Sequence, residues 1–129
     1  MAENYIPDEI ARFVLDKIDS IAELEALLLL RNEPREKWTI DLLAKRLYIT
    51  PKQTSEVVAR LCASGLATVN GIHPPEYRYV PSSRELAQSV DRLAKLYAKH
   101  LVPITNLIHS KPKTRVQEFA DAFIFRKDK

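Results

Sequence analysis

Thr39-Ile40-Asp41-Leu42-Leu43-Ala44-Lys45-Arg46-Leu47, then Tyr48-Ile49, then a segment opening Thr50-Pro51-Lys52-Gln53 and closing at Gly65: on this stretch the fold turns. In the first piece Ile40, Leu43, Ala44 and Leu47 recur at helical spacing, so a short amphipathic helix is expected over 39–47. In the second, Thr50 and Gln53 spell a capping box, in which the threonine oxygen accepts an early backbone N–H and the glutamine reaches back to the cap. Pro51 suits the first helical position because its missing N–H is not needed there. Val57 or Val58, Leu61 and Cys62 give the helix over 51–64 its inner face, and Gly65 supplies a left-handed end. Residues 66–69 read as a strand, 70–75 as a tip and 76–80 as a return strand with Tyr77 and Tyr79 on one face.

Working outward, Pro7 followed by Asp8 and Glu9 marks an earlier helix over 7–17 with Ile10, Phe13, Val14 and Ile18 inside. Ser20 with Glu23 opens a second over 20–31, whose Ile21, Leu24, Leu27, Leu28 and Leu30 cover so much of its circumference that it belongs near the centre of the core. Residues 32–37, with Pro34, end it, and Trp38 staples the next helix to the core. Ser82 with Glu85 opens a long helix over 83–109 carrying Leu86, Val90, Leu93, Tyr97, Leu101, Ile104 and Ile108. That stripe covers about 27 residues, or roughly 40 Å, more than a small trihelical core can cover. Pro103 lies inside it, so a break near 99–102 is expected. Thr114 with Gln117 opens a last amphipathic segment over 114–126, with Val116, Phe119, Ala120 and Phe123. The expected organisation is a single domain over 1–129: N-terminal helices over 7–31, the central unit over 39–80, the long helix and the tail.

Composition bounds this reading. At 129 residues the chain is one domain by length. Hydrophobic residues at 46% and charged residues at 29% exclude a disordered chain. Two glycines argue against a β-rich fold or a glycine-dependent phosphate loop. The run Ala26-Leu27-Leu28-Leu29-Leu30 is far short of the roughly 20 apolar residues that span a bilayer, and the N-terminus lacks the pattern of a signal peptide. Cys62, the single cysteine, excludes an intramolecular disulfide and fits a cytoplasmic protein. The net charge is +3, but residues 1–30 carry seven acids against two bases and residues 31–60 seven bases against four acids. A cationic middle is compatible with a polyanionic partner, and equally with a mixed, solvated surface.

The residues over 39–47, Ile49-Thr50, Val57-Val58-Ala59-Arg60-Leu61 and Gly65-Leu66 together resemble the winged helix-turn-helix superfamily of bacterial transcription regulators. Ala44 is the small residue such motifs place where the two helices cross, and Gly65-Leu66 resembles the exit from recognition helix to wing. The resemblance implies a mainly α fold with a small β-hairpin, a winged helix-turn-helix extended by N-terminal helices and a long C-terminal helix. It implies double-stranded DNA as partner, with the helix from Pro51 entering the major groove. Lys52, Gln53, Ser55 and Arg60 are then the candidates for base or phosphate contact, with Thr39, Lys45, Arg46 and Arg78 holding phosphates. The tip over 70–75 has no Lys or Arg, so DNA contact is expected to rest on the helix and the wing to be mainly structural.

Catalytic groups do not converge, and no enzyme, cofactor or metal is expected. His100 and His109 are too far apart for an i, i+4 metal pair, and His73 falls in a surface turn. Cys62 reads as core, with a redox sensor as the competing reading. Leu93, Tyr97 and Leu101 on the long helix, with Phe119 and Phe123, are the candidates for a homodimer seam. The alternative to a DNA-binding regulator is an adaptor whose C-terminal helix and aromatic tail bind another protein.

Overall fold

Four of the described helices begin where a side-chain oxygen can meet the first unsatisfied backbone N–H groups. The computed structural model describes residues 6–71 and 73–110. Within them the order is α1 Asp8–Lys17, α2 Ile21–Asn32, α3 Ile40–Leu47, α4 Pro51–Ala63, β1 Ala67–Asn70, β2 Glu76–Tyr79, α5 Arg84–Lys99 and α6 Leu101–His109. Ser20 caps α2 by accepting from the Glu23 N–H at 3.1 Å, and Thr39 caps α3 by accepting from the Leu42 N–H at 3.2 Å. The Ser82 box is displaced by one residue. Ser83 caps α5, accepting from the Leu86 N–H at 3.1 Å. Ser82 is used elsewhere: its N–H donates to the Gly65 carbonyl at 2.7 Å. Gly65 has φ +77°, so the backbone angle demands glycine at the exit from α4, and a Cβ there would in addition push aside the Ser82 Oγ, 2.5 Å away.

The core gathers the apolar faces of all six helices. Leu24, Leu27 and Leu30 of α2, Leu43 of α3, Val58 and Leu61 of α4, Val90 and Leu93 of α5 and Ile104 of α6 are all buried, with Ile10, Val14 and Ile18 closing the side of α1. Burying a side chain of this size contributes about 1.5–3 kcal/mol. β1 and β2 pair antiparallel with Ala67 opposite Tyr79 and Val69 opposite Tyr77. A third element joins them where Trp38 bridges Tyr77, whose N–H donates to the Trp38 carbonyl at 2.8 Å.

The stripe over 83–109 breaks within the expected interval 99–102 and forms two helices, with His100 at φ −129°, ψ 51° between them. Pro103 is the cause. In an unbroken helix its ring would clash with the Lys99 carbonyl and its missing N–H would leave that carbonyl unbonded. In the first turn of α6 neither penalty applies. The turn lets α6 fold back against α1 and α5. The segment over 114–126, with its cap, Phe119 and Phe123, lies outside the described residues.

Candidate nucleic-acid interface

The N-terminus of α4 is set by its complete capping box. The Gln53 N–H donates to Thr50 Oγ1 at 3.0 Å and the Thr50 N–H donates to Gln53 Oε1 at 3.0 Å. Thr54, which the sequence reading did not single out, adds a second lock: it is fully buried and its hydroxyl donates to the Thr50 carbonyl at 2.9 Å. A buried hydroxyl four residues after a cap is the pattern that would have marked it. The first turn of α4 is thus held rigidly while Lys52, Gln53, Ser55, Glu56, Ala59 and Arg60 are exposed.

The expected contact residues are not equivalent. Lys52 on the first turn and Ser55 just beyond it stand in solvent, and among the described residues neither Lys52 nor Lys45 has a carboxylate within ion-pair distance. Gln53 has its side-chain oxygen committed to the cap. A bidentate pairing with adenine would need that oxygen, and so would have to break the box. Arg60 lies eight residues beyond Lys52, about 12 Å along the helix, so the two address different positions on any duplex. Its Nη1 is 3.9 Å from Asp19 Oδ2, both side chains being half-exposed.

Arg46 is exposed but engaged: its Nη2 donates to Glu33 Oε2 at 2.6 Å, and its guanidinium lies 5.2 Å from the centre of the Trp38 ring. That stacking ties α3 to the wing and leaves Lys45 as the free cation of this helix end. Thr39 spends its oxygen on the α3 cap. Arg78 is exposed on β2, opposite Thr68. The described part of the wing tip, Asn70, Gly71, His73, Pro74 and Pro75, brings no lysine or arginine, and Val69 and Val80 stand about half-exposed. Tyr77 and Tyr79 face inward. Burial pushes both phenols up, and for Tyr79 the nearby Asp91 carboxylate adds to this while Arg31 opposes it.

The residues expected at a dimer seam divide as well. Leu93 is fully buried within its own chain, in the core where α5 packs with α1 and α6. Tyr97 donates its hydroxyl to Glu25 Oε2 at 2.8 Å, which together with burial pushes its phenol up to about 12. Both therefore serve the chain's own packing. Leu101 remains exposed, beside Val102 on α6, and Leu15 of α1 is partly exposed too. Burial pushes the half-buried Cys62 thiol up, away from the reactive thiolate. Among the described residues no three His, Cys, Asp or Glu gather to hold a metal, and no helix is long and apolar enough to cross a membrane.

Two helices, α3 and α4, packed on each other across a tight turn, a capped second helix with an exposed polar face, and a hairpin packed beside it define a winged helix-turn-helix. Solved structures share this fold. The adhesin competence repressor AdcR of Streptococcus pyogenes superposes with a TM-score of 0.52 at 16% identity, covering 94% of this chain and 91% of that one. A double mutant of ZitR from Lactococcus lactis gives 0.50 at 16% identity, over 93% and 88%. Neither a protein-family model nor a curated protein matches the sequence.

Proposed function

We propose that this protein is a cytoplasmic, non-enzymatic DNA-binding transcription regulator that acts as a homodimer. One observation carries the reading: α4 starts from a complete capping box and presents Lys52, Ser55 and Arg60 to solvent on a winged-helix frame. A helix so fixed brings its polar side chains to a groove without having to order its backbone at the moment of binding. The Streptococcus pyogenes neighbour is a repressor, which agrees with this use of the frame. Lys52 and Ser55 meet base edges or phosphates at the entry of the groove, while Lys45 and Arg60 anchor the backbone on either side.

Affinity for random-sequence duplex DNA, followed by fluorescence anisotropy, is expected to fall steeply with salt. Lys52→Ala and Arg60→Ala should each lower the slope of log affinity against log salt by about 1. No binding at low salt, or a double variant indistinguishable from the wild type, would defeat the reading.

For the homodimer, the supporting feature is the exposed apolar surface of Leu101, at 53% exposure, and Val102, at 63%. Two copies joined there would offer their α4 helices to half-sites about one DNA turn apart. Light scattering should give a dimer for the full chain and a monomer for Leu101→Glu; a monomeric wild type sinks this part. A second reading, a protein-binding adaptor, is favoured by the wing, where Val69 and Val80 are exposed and the described tip has no lysine or arginine. It predicts no salt-dependent DNA affinity in the same assay.

A further inference from the structure

Tyr48, the turn residue between α3 and α4, has φ 58° and ψ 40°, and it is the only non-glycine residue with positive φ among the described residues. This is the left-handed region, where a Cβ crowds the backbone and glycine or asparagine is favoured. The helix end itself is well made: the Tyr48 N–H donates to the Ala44 carbonyl, and the Ile49 N–H reaches the same oxygen at 3.2 Å. The side chain, however, returns nothing to the fold. Tyr48 is 93% exposed, whereas Val102, the next among the exposed large apolar residues, is at 63%. A strained backbone under an unpacked aromatic ring lowers stability on two counts, and such positions tend to mark function.

Its place in the chain says what that function is. Tyr48 sits two residues after Arg46 and two before Thr50, between the free cation Lys45 and the free cation Lys52. With the N-terminus of α4 in a major groove, the turn before it lies over the sugar–phosphate strand at the groove's edge. The flat apolar ring suits deoxyribose, and the hydroxyl can donate to a phosphate oxygen. We propose that Tyr48 is a DNA-contacting residue that braces the strand beside α4, trading backbone strain for affinity. The proposal rests on the DNA-binding reading above, and its test separates the two.

The full-length wild type, Tyr48→Gly, Tyr48→Phe and Lys52→Ala are compared for affinity to random-sequence duplex DNA across salt, and for thermal unfolding. Tyr48→Gly should bind about tenfold more weakly, the equivalent of one hydrogen bond to a charged group. Because the tyrosine is neutral, the salt slope should stay unchanged, unlike that of Lys52→Ala. Relief of strain should at the same time raise Tm by a few degrees. Tyr48→Phe, which removes the hydroxyl and keeps the ring, should lose most of that same affinity and leave Tm unchanged. Tyr48→Gly binding as tightly as the wild type, while Lys52→Ala is weakened, overturns this proposal alone; so does a fall in its Tm, which would make the ring part of the fold. A wild type without DNA affinity overturns the DNA-binding reading and this one with it.

Discussion

The outer face of α4 and the wing are neighbours with opposite economies. α4 is anchored by backbone and hydroxyl hydrogen bonds at its first turn, and it leaves its cations in solvent. The wing is anchored by aromatic rings and leaves almost no charge outside. A helix held at its end can present long polar side chains without distorting, because its backbone satisfies itself. A two-stranded hairpin is only marginally stable alone and needs a packed face. Here that face is made by Tyr77, Tyr79 and Trp38, so the wing's aromatic residues are spent on attachment.

Trp38 is where the wing is fastened to the body of the fold, and breaking it should give the largest effect. It is 1% exposed, its Nε1 donates to the Glu33 carbonyl at 2.9 Å, and its own carbonyl accepts from Tyr77. Trp38→Ala should lower stability by roughly 3–5 kcal/mol through cavity formation. Urea unfolding reads this directly. A loss below about 1 kcal/mol would mean that the wing is not attached through the tryptophan.

Tyr79 sharpens the same contrast. Its hydroxyl is buried and has no hydrogen-bond partner among the described residues. Tyr79→Phe removes a desolvated group and leaves the ring, so stability should rise by up to about 1 kcal/mol at neutral pH. Tyr77 and Tyr79 have folded-state values raised above the usual 10, so the neutral phenol is the form that folding favours. The stability this contributes is complete below pH 10 and is lost as pH rises through the raised values. Tyr77→Phe with Tyr79→Phe should therefore flatten alkaline unfolding monitored by circular dichroism. An unchanged alkaline limb would show that the wing's inner face is not what ionises.

What could be read from the sequence follows the range of the forces involved. The Thr50 and Gln53 cap, the Gly65 exit and the Pro103 break all depend on residues within four positions of one another, and each lies in the structure where local chemistry puts it. Ser82 and Ser83 are equally good caps on paper. The choice fell to Ser83 because Ser82 is pinned to Gly65 from outside the helix. Arg46 reads as a free cation until Glu33, thirteen residues away, is brought alongside it. Leu93 reads as a candidate seam residue until α1 and α6 are brought in against α5 and bury it. Tyr48 shows the converse, since the sequence marks an unusual turn residue but not that its ring goes unpacked.

The smallest expected effect tests the comparison most directly. Arg78 is the one cation of the wing strands, exposed on β2, and Lys52 is the exposed cation of the first turn of α4. If charge alone made the interface, removing either would weaken DNA binding alike, since each would release a similar counterion complement. If presentation on the capped helix makes it, the two should separate. Arg78→Ala should then leave affinity within about twofold and the salt slope unchanged, against a slope lowered by about 1 for Lys52→Ala. Anisotropy titrations of both variants at three salt concentrations suffice. An Arg78→Ala slope reduced as much as that of Lys52→Ala would make the wing a phosphate clamp and undo the division of labour between the two regions.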